Sequence, residues 1–131
     1  MSNEKQNSAQ FVMESFFTKA KAEQGRKLPL YTPTSEKTDH WLNVLGIDSD
    51  AFKQAEAEAK RQAIHIAEIE DKKEQFQAQR AVERKLIAAL ITDWSFDMPC
   101  TEENVVNFLT QAPQIEDAVN RFAAMRTTFF A

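Results

Sequence analysis

The chain has little glycine, little proline and one cysteine, and each scarcity excludes a class of protein. Only two glycines and four prolines interrupt 131 residues, which leaves no room for a glycine-rich phosphate-binding loop. One cysteine forms no intramolecular disulfide, so nothing indicates an oxidising compartment. No apolar run approaches the ~18 residues of a membrane span, and the polar start MSNEKQNSAQ lacks the pattern of a signal peptide.

The charge balance argues against a nucleic-acid binder. Sixteen Lys and Arg residues stand against twenty Asp and Glu, for a net charge of −4. Phosphate neutralisation needs uncompensated basic clusters, whereas most basic pairs here, such as Lys60-Arg61, have acids within one helical turn. The length suits one modest core. We expect a disordered tail over residues 1–8, then a single α-rich domain over residues 9–131, in a soluble intracellular protein.

The N-terminal segment has the pattern of a helix. Ser8 precedes it as an N-cap, and Gly25 follows it as a stop. Apolar residues between them recur at helical spacing, namely Phe11, Phe16, Phe17 and Ala20. We therefore predict a helix over about 9–24.

The next segment allows two structures. Pro29 and Pro33 exclude a continuous helix over its first half. Its second half, HWLNVLGI, fits either a short helix closed by Gly46 or the return strand of a hairpin. We favour a short β-hairpin at about 27–47.

A long helical segment follows. Ser49 is a good cap, and no Gly or Pro occurs before Pro99. Uninterrupted to Thr92, the helix would be ~65 Å long, too long for this chain to bury. Its apolar stripe contains Phe52, Ala55, Ala59, Ile66, Ile69 and Phe76, and then restarts on a rotated face at Val82, Leu86, Ala89 and Leu90. Either the helix breaks near Asp71–Gln79, or its two halves face different partners.

The C-terminal third predicts a helical hairpin. Thr101 caps one helix, and Pro113 ends it and opens the next. The last helix carries apolar residues at helical spacing, namely Ile115, Ala118, Val119, Phe122 and Met125. The predicted fold class is therefore mainly α: a long central helix or helix pair, a C-terminal helical hairpin and the short β-hairpin.

Residues that commonly carry catalysis form no site in this sequence. His40 and His65 lie in different segments, without Cys or carboxylates at metal-ligand spacing. Cys100 lies just ahead of a helix N-terminus, which favours a thiolate, but it has no neighbouring His or Lys. We expect no enzyme, no cofactor and no metal.

The segment DWSFDMPC allows two roles. Trp94 and Phe96 either fill the corner between two helices or present an aromatic patch to a partner, and the two roles are compatible because one face of a Trp can pack while the other contacts a partner. Together with the apolar stripe, the candidate partner-binding residues are Trp94, Phe96, Phe52, Ile66, Ile69 and Phe76.

Two stretches of the chain resemble a known family. GIDSDAF leads into a charged, Ala-rich helix, and LIAALITDWSFDMPCTEENVVNFLTQAPQIEDAV precedes a terminal RFAAMRTTFF. This pattern resembles the tail assembly chaperones of long-tailed, lambdoid-like bacteriophages. The stronger part covers about residues 86–130.

The resemblance implies a non-enzymatic assembly factor in the host bacterial cytoplasm that is absent from the finished virion. It would bind the tape measure protein, keep it soluble and promote tail tube assembly as a weak homo-oligomer, without nucleic acid or membrane. A longer form, made by ribosomal frameshifting, would contact the tail tube protein, and this chain would be the short form.

Other classes remain open. The strongest rival is an oligomeric coiled-coil adaptor or scaffolding protein that holds no client and keeps one oligomeric state on dilution. A helical transcription regulator and an enzyme follow, and the acidic balance counts against the regulator.

Overall fold

The computed structural model describes residues 11–131. The predicted tail over residues 1–8, the Ser8 cap and the start of the first predicted helix lie outside the described residues. The helices are α1 (Lys19–Gln24), α2 (Asp50–Ile66), α3 (Lys72–Ala88), α4 (Glu102–Gln111) and α5 (Pro113–Ala124), and the strands are β1 (Arg26–Tyr31), β2 (Lys37–Val44) and β3 (Ile91–Trp94). Two 3-10 helices, Met13–Phe16 and Arg126–Phe130, flank them. The mainly α fold class is confirmed.

The predicted first helix is wrong in its extent. The chain makes one 3-10 turn at Met13–Phe16, is extended at Phe17 (φ −79°, ψ 126°) and becomes α-helical only in α1. Phenylalanine and threonine are poor helix formers, and in α1 only Ala22 is buried, so packing does not compensate. Gly25 ends α1 as predicted, with a φ of 77° that favours glycine.

The predicted β-hairpin is confirmed, and the short-helix alternative is excluded. Strands β1 and β2 pair antiparallel, with Leu28 opposite Leu42. Gly46 caps no helix. Its amide donates to the Ala22 carbonyl at 2.9 Å, and a Cβ there would lie 2.8 Å from the Ala22 Cβ. The glycine therefore lets α1 approach the end of the hairpin.

A third strand replaces the predicted end of the long helix. Helix α3 ends at Ala88, and β3 pairs antiparallel with β2, with Trp94 opposite Leu42. The prediction of helix to Thr92 is wrong because β2 offers an unpaired edge to the β-branched residues Ile91 and Thr92, which favour strands. The Trp94 corner therefore joins a strand to a helix, not two helices.

The central segment is a helix pair. Helices α2 and α3 are 17 residues each and pack against each other across a five-residue connection. The break comes just before the predicted window of Asp71–Gln79, because the Asp71 side chain accepts a hydrogen bond from the Lys73 amide and caps α3. Ser49 caps α2 as predicted, accepting from the Phe52 amide at 3.3 Å.

The C-terminal helical hairpin is also confirmed. Thr101 accepts from the Asn104 amide at 3.2 Å, and Pro113 is the first residue of α5. Both helices pack over the sheet and α3 in one hydrophobic core. Its largest fully buried apolar side chains are Leu42, Val44, Leu90, Val105, Leu109 and Val119.

A buried ion pair ties α3 to α5. Glu116 is 5% exposed, and its carboxylate accepts from Arg84 Nε at 2.8 Å and from Arg80 at 3.4 Å. A carboxylate at that depth requires such donors, since an unpaired buried charge is strongly destabilising.

We expect Arg84→Ala to lower the free energy of unfolding by about 2–3 kcal/mol, because it leaves Glu116 short of its main donor. Urea denaturation measures this. The control is Arg61→Ala, which breaks the exposed pair with Glu58 and should change stability little. Equal losses of unfolding free energy in the two variants would contradict a special stabilising role for the buried Arg84–Glu116 pair.

Asp48 joins the two ends of the described chain. Its carboxylate accepts from the guanidinium of Arg126 at 2.7 Å and 2.9 Å, and from the Thr18 hydroxyl at 2.7 Å. These hydrogen bonds, that of Arg126 first, lower the pKa of Asp48 to about 2 from 3.8.

The stability of the fold should therefore depend on Asp48 at acid pH. A carboxyl whose pKa is lower in the folded chain stabilises it fully above about pH 4, and this contribution is lost as the pH falls towards about 2. Asp48→Asn should reduce the difference in unfolding free energy between about pH 5 and about pH 2. An unchanged pH dependence in urea titrations would show that other carboxyls dominate.

Candidate functional site

An apolar groove lies between α2 and α3. Its volume is about 500 Å³, within the range of roughly 300–1,000 Å³ typical of ligand sites. The α2 wall runs from Ala55 to Gln62 and the α3 wall from Ala81 to Ala89, so the groove is about 12 Å long at 1.5 Å per helical residue. We call it the α2–α3 groove.

Small side chains open the groove. Ala55 and Ala59 on α2 face an α3 wall that includes Ala81 and Ala89, so the two backbones leave space that larger side chains would fill. Val82 and Leu86 provide the larger apolar surface, and both are only half-buried. The groove can therefore accept an apolar side chain from outside the monomer.

Charged residues border this apolar surface. Glu58 pairs with Arg61, and Lys85 lies 3.4 Å from Glu102. The pKa of Glu58 is below its ordinary value because Gln62, and then Arg61, donate to its carboxylate. The charged side chains on this rim favour an amphipathic partner over a purely apolar one.

The structure does not bring the six candidate partner-binding residues onto one surface. Trp94 and Ile66 are each 7% exposed, whereas Phe76 is 63% exposed. Phe52, Ile69 and Phe96 are half-buried. Contact of these six side chains with a partner stays a prediction, and only Phe76 is largely accessible in the described structure.

The corner at Trp94 is well packed. The indole Nε1–H donates to the Met98 carbonyl at 2.6 Å. The ring contacts Phe96 and Phe108 edge-on, with centroids 5.2 Å and 5.9 Å away. Phe96 also stacks on His40, with the ring centroids 4.6 Å apart, and it is half-buried whereas Trp94 is buried.

A second apolar surface lies before α1. Five large apolar residues fall within seven positions and are all exposed, namely Phe11, Val12, Met13, Phe16 and Phe17. We call residues 11–17 the N-terminal arm. The sequence analysis assigned Phe11, Phe16 and Phe17 to the apolar contacts of the first predicted helix, and it did not predict their exposure.

The groove was also missed, although the sequence carried a signal for it. Ala55 and Ala59 lie four residues apart on the predicted stripe, and Val82, Leu86 and Ala89 restart the stripe. Small residues facing larger ones predict close packing as readily as a gap. Only the relative placement of the two helices distinguishes these outcomes.

The side chains that could react or bind a metal lie apart from one another. Burial, and then the charge of Asp93, raise the pKa of the Cys100 thiol, contrary to the thiolate that a helix N-terminus would favour. Over residues 11–131 no group of three or more His, Cys, Asp or Glu side chains could hold a metal ion. No helix within that range is long and apolar enough to cross a membrane.

Alanine substitutions of Trp94 and Phe76 should have very different effects on stability, because the first side chain is buried and the second is exposed. We expect Trp94→Ala to lower the free energy of unfolding by about 3–5 kcal/mol, because it empties the aromatic corner. Phe76→Ala should change it by less than about 0.5 kcal/mol. Urea denaturation of both variants tests this, and a large loss in Phe76→Ala would mean that its ring is not free.

Comparison with known proteins now identifies the family. A family model described as phage tail assembly chaperone matches residues 13–124, which is most of the chain. No curated protein and no solved structure matches. The chain therefore belongs to the phage tail assembly chaperone family, whose role lies in the assembly of the tail and is non-enzymatic.

Proposed function

We propose that this member of the phage tail assembly chaperone family binds the tape measure protein, keeps it soluble and promotes assembly of the tail tube around it. The main support for the proposal is the α2–α3 groove, an apolar cleft bordered by charged side chains in a chain of this family. The protein acts in the host bacterial cytoplasm and leaves before the virion is complete.

The groove suits a helical client. An amphipathic helix binds a hydrophobic groove through side chains one and two turns apart, and a groove about 12 Å long spans two turns of such a helix. The apolar side chains of the client contact Val82 and Leu86, and its flanking polar residues meet Glu58 and Lys85. A long helical client offers many such segments.

The six residues predicted from the sequence extend this surface. Phe76 and Ile69 lie towards the connection between α2 and α3, beyond the groove. Phe96 offers a separate contact at the aromatic corner. Ile66, Phe52 and Trp94 act mainly by holding the elements that present these contacts, since they are buried or half-buried.

Weak sites act together in this proposal. A shallow groove holds one segment weakly, but several chaperone copies on one client bind far more tightly through effective concentration. The protein therefore works as a weak homo-oligomer on an extended client. A longer frameshifted form recruits the tail tube protein, and this chain is the short form.

A charge placed in the groove should weaken client capture. Ala59→Glu buries a carboxylate against the apolar segment of the client, at a cost above 1.4 kcal/mol, so we expect binding at least about tenfold weaker. The measurement is co-expression with the tape measure protein, followed by pull-down from the soluble fraction.

The matched control is Ala57→Glu, which adds the same side chain to an exposed position of α2. It should capture the client like the native chain. Undiminished capture by Ala59→Glu would remove the groove from the interface. Failure of the native chain to keep the client soluble, with one oligomeric state across dilution, would favour the scaffolding protein instead.

A further inference from the structure

We infer that the end of the α2–α3 helix pair is a second docking surface, and that it takes an acidic amphipathic helix of another protein. We call this surface the tip. Three apolar residues and three lysines make it up, namely Ile64, Ile69, Phe76, Lys60, Lys72 and Lys73. That the tape measure protein supplies such a helix rests on the proposed function, whereas the surface itself does not.

Two large apolar side chains of the tip are exposed. Ile64 is 66% exposed and Phe76 is 63% exposed. They lie at the same end of the helix pair, where the Gln75 side chain donates to the Ile66 carbonyl at 3.2 Å and joins the start of α3 to the end of α2. One exposed apolar residue needs no explanation, but two at one end of a helix pair form a patch.

The rest of the fold leaves the tip uncovered. Phe76 lies one helical turn beyond Arg80, the last residue of that side of α3 to contact Glu116 of α5, at 3.4 Å. It lies about 17 Å along α3 from the buried Ile87. Ile66 is 7% exposed but lies outside the main core, so the tip is closed by its own contacts. The tip therefore projects from the molecule and is accessible to a partner.

The exposed anchors of the tip face away from the α2–α3 groove. At about 100° per residue, Ile64 lies roughly 140° around α2 from Ala59, which lines the groove. Phe76 lies roughly 180° around α3 from Lys85, which also lines the groove. A helix at the tip and a segment in the groove can therefore be bound at the same time.

Lysines flank both apolar anchors. Lys60 lies one turn before Ile64 on α2. Lys72 and Lys73 lie one turn before Phe76 on α3. Residues three and four apart share one side of a helix, so each lysine lies beside an anchor. All three lysines are exposed, and none of them forms an ion pair within residues 11–131.

The acids near the tip are not paired with these lysines. Asp71 is the N-cap of α3, and its carboxylate accepts from the backbone amide of Lys73 at 3.1 Å. Glu68 and Glu70 lie in the connection between the helices, and Glu74 lies on the other side of α3, roughly 160° from the exposed phenylalanine. The sides of both helices that carry the anchors therefore have cations available to a partner.

Apolar anchors with cations one turn away suit a helix of the complementary pattern. Such a helix carries apolar residues on one face and carboxylates beside them, and it binds an apolar surface through that face. The apolar contacts supply most of the affinity, because exposed ion pairs are individually weak. The charges supply selectivity, since a basic helix of the same apolar pattern would place like charges against the lysines.

Two matched peptides test the tip. One is a synthetic helix of about 20 residues, with leucines one and two turns apart and glutamates beside them, and the other has lysines in place of the glutamates. Fluorescence anisotropy of the labelled peptides measures their binding to the full chain. We expect the acidic peptide to bind at least about tenfold more tightly than the basic one, and to bind less tightly as the salt concentration rises. Equal binding of the two peptides, or no binding, would overturn the inference.

Charge reversal at the tip should exchange this preference. The variant with Lys60→Glu and Lys72→Glu should bind the basic peptide more tightly than the acidic one. Its matched control, Lys21→Glu with Lys37→Glu, has the same net charge but alters exposed lysines outside the tip, and it should keep the preference of the native chain. An exchange in both variants would show that net charge alone decides, and the tip would not be the site.

Removal of the anchors should weaken binding of the acidic peptide by about tenfold or more, as loss of central apolar contacts does. The variant is Ile64→Ser with Phe76→Ser, and its control is Met125→Ser, at a residue that is 58% exposed elsewhere. Circular dichroism and urea denaturation verify that all variants fold.

Three further outcomes would replace the occupant and overturn the inference. They are binding of single-stranded DNA by the native chain as tight as that of the acidic peptide, equally tight binding of phosphatidylserine vesicles, and self-association in sedimentation velocity that the anchor variant loses.

Client capture separates this inference from the proposed function. Ala59→Glu alters the groove and leaves the tip, so it should bind the acidic peptide like the native chain. Selective peptide binding without capture of the tape measure protein by the native chain would remove the proposed function and leave the tip standing. Groove-dependent capture by a chain that does not distinguish the two peptides would remove this inference alone.

Discussion

The pairing of β3 with β2 is the constraint on which the rest of the structure depends. Strand β2 is central in the sheet, and its Leu42 and Val44 are completely buried. Because β3 directly follows α3 and leads into the aromatic corner before α4, its pairing fixes both helices against the hairpin. The Leu45 amide extends the attachment by donating to the Leu90 carbonyl at 2.8 Å. The Ile47 amide adds a further backbone contact by donating to the Ala123 carbonyl of α5 at 3.3 Å.

The core formed around this sheet does not extend along the whole helix pair. Ile66 is the only buried residue of α2, and the buried residues of α3, Ile87 and Ala88, come at its end. Much of the pair is held by contact between its own two helices. A helix pair with few buried residues has lower local stability than the core, and its apolar residues remain available to other chains. The α2–α3 groove is the direct consequence.

The described chain presents several separate apolar surfaces to the outside of the fold. They are the N-terminal arm, the α2–α3 groove and Phe76. In the proposed function, several shallow sites of this kind would follow a long client, whereas one deep pocket would select one ligand. The stability of the fold is supplied elsewhere, by the buried core and the Arg84–Glu116 pair.

The sequence alone predicted several helix termini, because capping acts within one turn: Ser49, Thr101 and Pro113 mark the starts of three helices, and Gly25 ends one. It also predicted the hairpin and the mainly α class, and the resemblance in residues 86–130 identified the family. It could not predict β3, since a strand of four residues exists only where another strand lies beside it. The exposure of the arm, the burial of Trp94 and the opening of the α2–α3 groove were decided by the tertiary structure alone, because each depends on residues distant in sequence coming together or failing to do so.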